Sequence, residues 1–355
     1  MSQFIQLHVL TSYPPANLNR DDQGRPKTAK MGGTDRLRVS SQSLKRAWRQ
    51  SDLFQEAVGG HIGTRTKLLG REIYAEIIQG EVKEKDAIKW SRDIAGVFGA
   101  LKKEAKDNFM MGLEIEQLVH ISPIEYQAAL ALACVIKNEN REPTKEELDL
   151  LRNTEQAVDI ALFGRMLASK PAFNIEAACQ VAHALSVHSV VLEDDYFTAV
   201  DDLNETKEDM GAAHIGETTF AAGLFYSYIC INKTLLSDNL SDDELVKKAL
   251  RSLTEAVIKV APEGKQNSFA SRAYASYVLA EKGKEQPRSL SVAFLKAIDN
   301  RNSDDFGTEA IKRLSEQYKS FCDVYELPLE ASSTYQLDVS KGQGKLSKLL
   351  EFVSE

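Results

Sequence analysis

The chain has 355 residues, 43% hydrophobic content and a formal net charge of −8, enough apolar material for a sizeable core in one elaborated domain or two. That acidity argues against a non-specific nucleic-acid coat, and Cys134, Cys179, Cys230 and Cys322 lie far apart with no Cys-x-x-Cys pair, so they read as reduced thiols rather than a disulfide framework. No apolar run approaches the ~20 residues a membrane span needs, and MSQFIQLHVL lacks the layout of a signal peptide; the expectation is a soluble, cytoplasmic protein with no membrane partner.

Ile5, Leu7 and Val9 alternate with Gln6 and His8, the pattern of a half-buried strand, which Tyr13-Pro14-Pro15 is expected to end. A long polar loop follows, LNRDDQGRPKTAKMGG, of a length that is usually functional or disordered. RLRVS predicts a short strand with Arg36 and Arg38 on one face. Ser40–Ser51 predicts a helix capped by Ser40 or Ser41. Helical spacing places Gln42, Lys45, Arg46 and Arg49 on one stripe and Leu44, Ala47 and Trp48 on the opposite side. From Arg20 to Arg49 the chain carries nine basic and three acidic residues, net +6, which leaves −14 for the remainder. One local surface therefore addresses an anion.

Residues 60–155 read as an inserted helical subdomain, with helices over Glu125–Lys137 and Lys145–Thr154. Ala157–Leu162 is expected to be a strand and Ile175–Val187 an amphipathic helix. Glu193–Phe220 holds nine acids and one base, Lys207, and predicts a protruding hairpin arm that returns into a strong strand, Ala221–Asn232. A helix over Asp242–Val260, a strand over Ser271–Ala280, helices near Ser291–Ile298 and Thr308–Tyr325, and a last strand and helix in Leu337–Glu355 complete the chain. Strands and helices intermix without a β-α-β repeat, which predicts α+β.

Familiar catalytic patterns are missing. Gly342-Gln343-Gly344-Lys345 leads into Leu346, so no phosphate-cradling loop is expected, and no His-Glu-x-x-His occurs. Asp21-Asp22 and Asp201-Asp202 are paired carboxylates of the kind that can hold Mg²⁺, but no third ligand has evident spacing. Loop capping, or an ion pair with Arg20, is the plainer reading.

The blocks MSQFIQLHVLTSYPPANLNRDD, GG–RLRVSSQSLKRA, VDIALFGRM, YFTAVDD and GAAHIGETTFAAGLFY together resemble the CasC-type backbone subunit of the type I-E CRISPR Cascade complex. The resemblance spans most of Met1–Asn232 and weakens after about Lys233. It implies an RRM-like (ferredoxin-like) antiparallel palm with a helical fingers insertion and a long thumb hairpin. On this sequence the palm would comprise 1–59, 156–192 and 224–355, the fingers 60–155 and the thumb 193–223. It also implies a non-catalytic subunit, without cofactor or metal, that polymerises along CRISPR RNA as part of antiviral defence. Its partners would be CRISPR RNA, the target DNA strand paired to the guide, neighbouring copies of itself, and the large, small, five-prime-handle-binding and CRISPR-RNA endonuclease subunits.

Carried over residue by residue, the phosphate-binding set would be Arg20, Lys27, Ser40, Gln42, Lys45, Arg46 and Arg49. Gly164-Arg165-Met166 would bring Arg165 to the RNA and Met166 in as an apolar wedge. Phe197, Thr198 and Val200 on the thumb, with His214 and Gly216 on its return strand, would lie beside a displaced nucleotide. Such a scaffold must grip phosphate and sugar and leave base edges free. In the fingers, Lys137, Arg141, Lys145 and Arg152 alternate with glutamates, so a strong grip on duplex DNA is not expected. Two other readings stand beside this one: a metal-dependent ribonuclease using Asp21 or Asp22, and a general single-strand RNA binder.

Overall fold

The computed structural model describes residues 3–104, 108–153, 157–199, 214–299, 305–327 and 333–355. Among them an antiparallel sheet forms the centre. Strand β1 (Phe4–Ala16) starts it, and β2 (Thr28–Met31) and β3 (Thr34–Val39) make a hairpin turned by Gly32 and Gly33, both at positive φ. Next come helices α1 (Ser41–Gln50) and α2 (Asp52–Val58), strand β4 (Thr64–Thr66), helices α3 (Leu69–Ile77) and α4 (Glu84–Gly96), strand β5 (Val119–Ile121) and helix α5 (Pro123–Glu139). Helix α6 (Val158–Phe163) leads to strands β6 (Cys179–Val181), β7 (Ala184–Ser186), β8 (Glu193–Ala199) and β9 (His214–Asn232). The remainder is α7 (Lys233–Leu240), α8 (Asp243–Lys259), α9 (Gln266–Phe269), β10 (Tyr277–Gly283), α10 (Phe306–Val324), β11 (Thr334–Asp338) and α11 (Leu346–Ser354).

The described strands run β11-β10-β1-β9-β7-β3-β2, with β6 and β8 also paired to β9, and β4 with β5 as a separate pair. Strand β1 lies between β10 and β9, from Phe4↔Gly283 to Leu10↔Tyr277 on one side and from Phe4↔Asn232 to Tyr13↔Gly223 on the other. Ile5, Leu7 and Val9 face a core built with Leu44, Trp48, Phe54, Leu250 and Leu349. The opposite face was expected to be wet, yet Gln6 and His8 are buried too. Leu10, Tyr226, Leu279, Phe294 and Leu314 cover that side. There the Tyr226 hydroxyl lies 2.9 Å from His8 Nδ1 and Glu281 Oε1 lies 2.8 Å from Nε2. A buried polar side chain is tolerated when its partners are built in.

A further core gathers Leu69, Ile73, Ile94, Leu113, Ala133 and Ile136. It belongs to α3, α4 and α5, the region expected to be an insertion. Helix α5 opens on a capping box: the Ser122 hydroxyl accepts the Glu125 N–H, and the Glu125 carboxylate accepts the Ser122 N–H.

Several expected elements differ. Strand β1 runs through Pro14 and Pro15 to Ala16, with its register shifting between Tyr13 and Ala16; an irregularity accommodates residues that cannot donate to the ladder. The segment expected as a strand at Ala157–Leu162 is helix α6, in which Val158 to Leu162 are all buried, and a run this short, apolar except for Asp159, carries no periodicity that separates the two. The helix expected over Ile175–Val187 is two short strands, both paired with β9. Residues 145–148 form turns, not a helix, and Ser291–Phe294 is a 3₁₀ turn. The strand expected from Ser271 begins at Tyr277.

Candidate nucleic-acid interface

Helix α1 carries the centre of the site. Ser40 stands at its N-cap with extended backbone (φ −69°, ψ 147°), and its hydroxyl accepts the Ser43 N–H at 3.3 Å. Leu44, Ala47 and Trp48 are buried. That docking turns the opposite side outward, where Gln42 and Arg46 are exposed and Lys45 is half-buried. Lys45 Nζ sits 5.4 Å over the Phe163 ring, and Arg46 Nε donates to Gln50 Oε1 at 2.9 Å.

The loop before β2 is tied to this helix. Asn17 is fully buried and its Nδ2 donates to the carbonyls of Gly24 and Thr219, each at 2.9 Å. Asn19 Oδ1 accepts the Ser40 N–H at 2.9 Å, and Asn19 O accepts the Lys27 N–H at 2.8 Å. These bonds hold Arg20 exposed beside α1. Arg20 and Arg46 line one cleft of about 420 Å³ with Asn19, Asp21, Ser43 and Glu263. Arg20 also borders a second, of about 290 Å³, with Arg25, Lys265 and Glu217 at the root of the arm.

The basic surface extends past the expected set. Arg38 Nη1 lies 3.4 Å from His183 Nδ1 in the turn between β6 and β7. Partial burial, then the Arg38 charge and then Lys27 hold the His183 pKa below its ordinary value. Two cations of the basic stretch, Lys27 and Arg38, therefore act on one imidazole far along the chain. Arg38 stood in the basic stretch and was legible; His183 was not, because a helix was expected where the turn lies.

Three arginines point elsewhere. Arg36, expected on the same face as Arg38, is fully buried and donates to the carbonyls of Ser186 and Phe294, both at 3.0 Å. Arg49, expected beside Lys45, turns back to ion-pair with Asp159, and its Nη2 donates to Gly63 O at 2.6 Å. Asp159 also accepts the Gly63 N–H at 2.8 Å, and His120 Nε2 stands 2.8 Å away. Burial would raise the Asp159 pKa, but His120 and Arg49 outweigh it and hold it below the ordinary carboxylate value. Arg165, expected at the RNA, is buried, with Nη1 2.6 Å from Glu125 Oε2 and Nη2 donating to Arg152 O and Phe173 O.

Met166, next to that buried arginine, is 80% exposed. Gly164 at φ 80° and the Arg165↔Ile175 bridge produce this reversal of direction. In the arm, β8 pairs with β9 from Glu193↔Phe220 to Ala199↔His214. Phe197 pairs with Gly216 and Thr198 with Ile215. Phe197 is 43% exposed, and its ring fills the space a Cβ on Gly216 would occupy. Val200 and Asp201-Asp202 lie outside the described residues.

The model of a family described as CT1975-like protein, a Cas family, matches residues 5–351. The chain belongs to the CT1975-like family. Among solved structures it is similar to a chain of a "CRISPR RNA-guided surveillance complex, pre-nicking", with 26% identity, a TM-score of 0.82 and 99% of each chain covered. It is also similar to a chain of a "CRISPR RNA-guided surveillance complex", with 22% identity, a TM-score of 0.72 and 99% of each chain covered, a likeness of fold alone. No curated protein sequence matches it.

In this CT1975-like chain, Asp21 Oδ1 accepts the N–H groups of Gln23 and Arg25, each at 2.9 Å. It shapes its own loop, as the plainer reading expected. Among the described residues no three His, Cys, Asp or Glu side chains gather as a metal site, and no helix is long and apolar enough to cross a membrane. In the 60–155 region, Arg141 is clasped by Glu139 and Glu147, and Lys137 by Glu76.

Proposed function

We propose that this CT1975-like chain is a non-catalytic backbone subunit of a type I-E CRISPR surveillance complex. It polymerises along CRISPR RNA, grips phosphates without reading sequence, and leaves the guide open to pair with a target DNA strand. The observation that carries this reading is the basic side of α1, with Gln42 and Arg46 exposed and Lys45 half-buried, where Arg46 shares one cleft with Arg20, in an otherwise acidic molecule. A grip of that kind is made of point charges and small donors directed at phosphate. The likeness at 26% identity over 99% of the chain to a subunit of an RNA-guided complex supplies the setting.

On this reading the central sheet apart from β8 is the palm, the region around the second core is the fingers, and β8 with the start of β9 is the thumb. Met166 and Phe197 meet the RNA by shape, and Arg20, Lys27, Lys45 and Arg46 by charge. The companions are further copies of this chain and the large, small, handle-binding and endonuclease subunits, in the cytoplasm.

The test is co-expression with a CRISPR array and the companion subunits. The unaltered chain is expected to co-purify with RNA of one fixed length. Lys45→Glu with Arg46→Glu is expected to abolish RNA-dependent assembly while the isolated chain keeps its circular dichroism spectrum. Normal assembly by that variant would sink the assignment of this surface. Cleavage of complementary RNA in Mg²⁺, lost in Asp22→Ala, would replace it with the ribonuclease reading.

A further inference from the structure

Arg49 and Arg165 are basic residues at the edge of the proposed RNA surface, and each is committed to a carboxylate inside the protein. The side chains of Asp159 and Glu125 are both 0% exposed. Asp159 lies on α6 and gathers Arg49 from α1, His120 from β5 and the Gly63 N–H. Glu125 lies in the first turn of α5 and gathers Arg165 together with the N–H groups of Ser122 and Arg152. Both knots sit where the core around α3, α4 and α5 meets the sheet-and-α1 core.

We infer that Arg49 and Arg165 are positioning residues and not phosphate ligands. Through Asp159 and Glu125 they fix the α3–α5 unit against helix α1, and so set where Lys45, Arg46 and Met166 stand. The inference rests on the RNA-binding reading above. Its physical ground is what a change of partner would leave behind. If Arg49 left to bind a phosphate, the Asp159 carboxylate would remain in a site closed to water with only His120 and the Gly63 N–H beside it, a disfavoured state. The same holds for Glu125 without Arg165. The fork of Arg49 also spans two acceptors at once, the Asp159 carboxylate and the Gly63 carbonyl, a geometry a lysine cannot reproduce. Lys45 and Arg46 face no such conflict, since among the described residues no carboxylate pairs with either.

The experiment measures binding of the full-length chain to a fluorescein-labelled single-stranded RNA of mixed sequence. It is run over a range of KCl, at a temperature where circular dichroism shows each variant folded. Lys45→Gln is the reference for a phosphate ligand, and its slope of log K against log salt is expected to fall by about 0.7. Arg49→Gln and Arg165→Met are expected to weaken binding on the order of tenfold with the slope unchanged. Arg49→Lys, which keeps the charge, should fail to rescue.

Asp159→Asn decides by sign. A positioning role requires weaker binding; tighter binding, from an Arg49 released to the RNA, would overturn the inference. If Asp159→Asn does not fold, the Arg49→Gln and Arg49→Lys pair decides. A slope loss of about 0.7 in the first, or full rescue by the second, overturns it. Failure of the unaltered chain to bind with any salt dependence would bring down the RNA-binding reading and the inference together. A normal reference variant with phosphate-like behaviour at Arg49 brings down the inference alone.

Discussion

At the scale of the residue, the sequence does not separate cations that face solvent from cations that hold the interior. Arg36, Lys45 and Arg49 stand in one run without an acid between them. Their fates are decided by Ser186, Phe163 and Asp159, each more than a hundred residues further along the chain. Gly32-Gly33 was likewise visible only as part of a polar loop, although a two-residue Gly-Gly turn between strands is a hairpin signal. The two glycines are not equivalent. A Cβ on Gly32 would collide with the Leu295 carbonyl, whereas one on Gly33 meets nothing within 4 Å. Leu295 adjoins Phe294, whose carbonyl receives Arg36. Gly32→Ala is therefore expected to destabilise by about 2 kcal/mol more than Gly33→Ala, since both carry the φ penalty but only the first forces backbone apart. Urea unfolding midpoints check this, and equal losses would remove the role given to that contact.

At the scale of the element, helices with one apolar side were legible and short buried pieces were not. α1, α5, α8 and α10 have caps and long patterns. Ser40, Ser122, Asp242 and Asp305 each stand at the N-cap and accept backbone N–H groups. α6, β6 and β7 have six residues or fewer, and their identity comes from what packs on them. The arm was legible as a hairpin because acid density with embedded aromatics suits an element that leaves the core. Its geometry makes a specific claim about Phe197, whose ring lies over Gly216. Gly216→Ala must swing that ring off the strand. In an assembled complex this is expected to blur the regular spacing of RNA protection from nuclease about as much as Phe197→Ala does. The double variant should be no worse than Phe197→Ala alone, since both changes remove one contact. Additive losses would show that Gly216 acts independently of the ring.

At the scale of the whole molecule, charge and acid response follow from the same arrangement. An acidic chain carries a net +6 between Arg20 and Arg49 and places two neutral histidines inside. Burial is the largest influence on both His8 and His120; it outweighs Glu281 and Asp159 and holds each imidazole pKa below the ordinary 6.5. The sign follows from proton counts. The unfolded chain takes up these protons near pH 6.5, the folded one only at lower pH, so stability is full above 6.5 and falls as pH drops through the folded values. Each histidine contributes a slope of up to about 1.4 kcal/mol per pH unit. Asp159, held low, adds a separate loss only when pH falls below its ordinary 3.8. Urea unfolding is therefore expected to show lower stability at pH 5.5 than at pH 7.5. His120→Gln should be less stable at pH 7.5 but fall less between the two, because one of the two titrating imidazoles is gone. RNA should act in the opposite direction on the exposed His183, whose pKa Arg38 and Lys27 depress after burial: phosphate brought among those cations relieves the repulsion, so binding takes up protons and tightens as pH falls towards 6.5. A complex whose affinity is flat from pH 7.5 to 6.5 would remove His183 from the surface that meets the backbone.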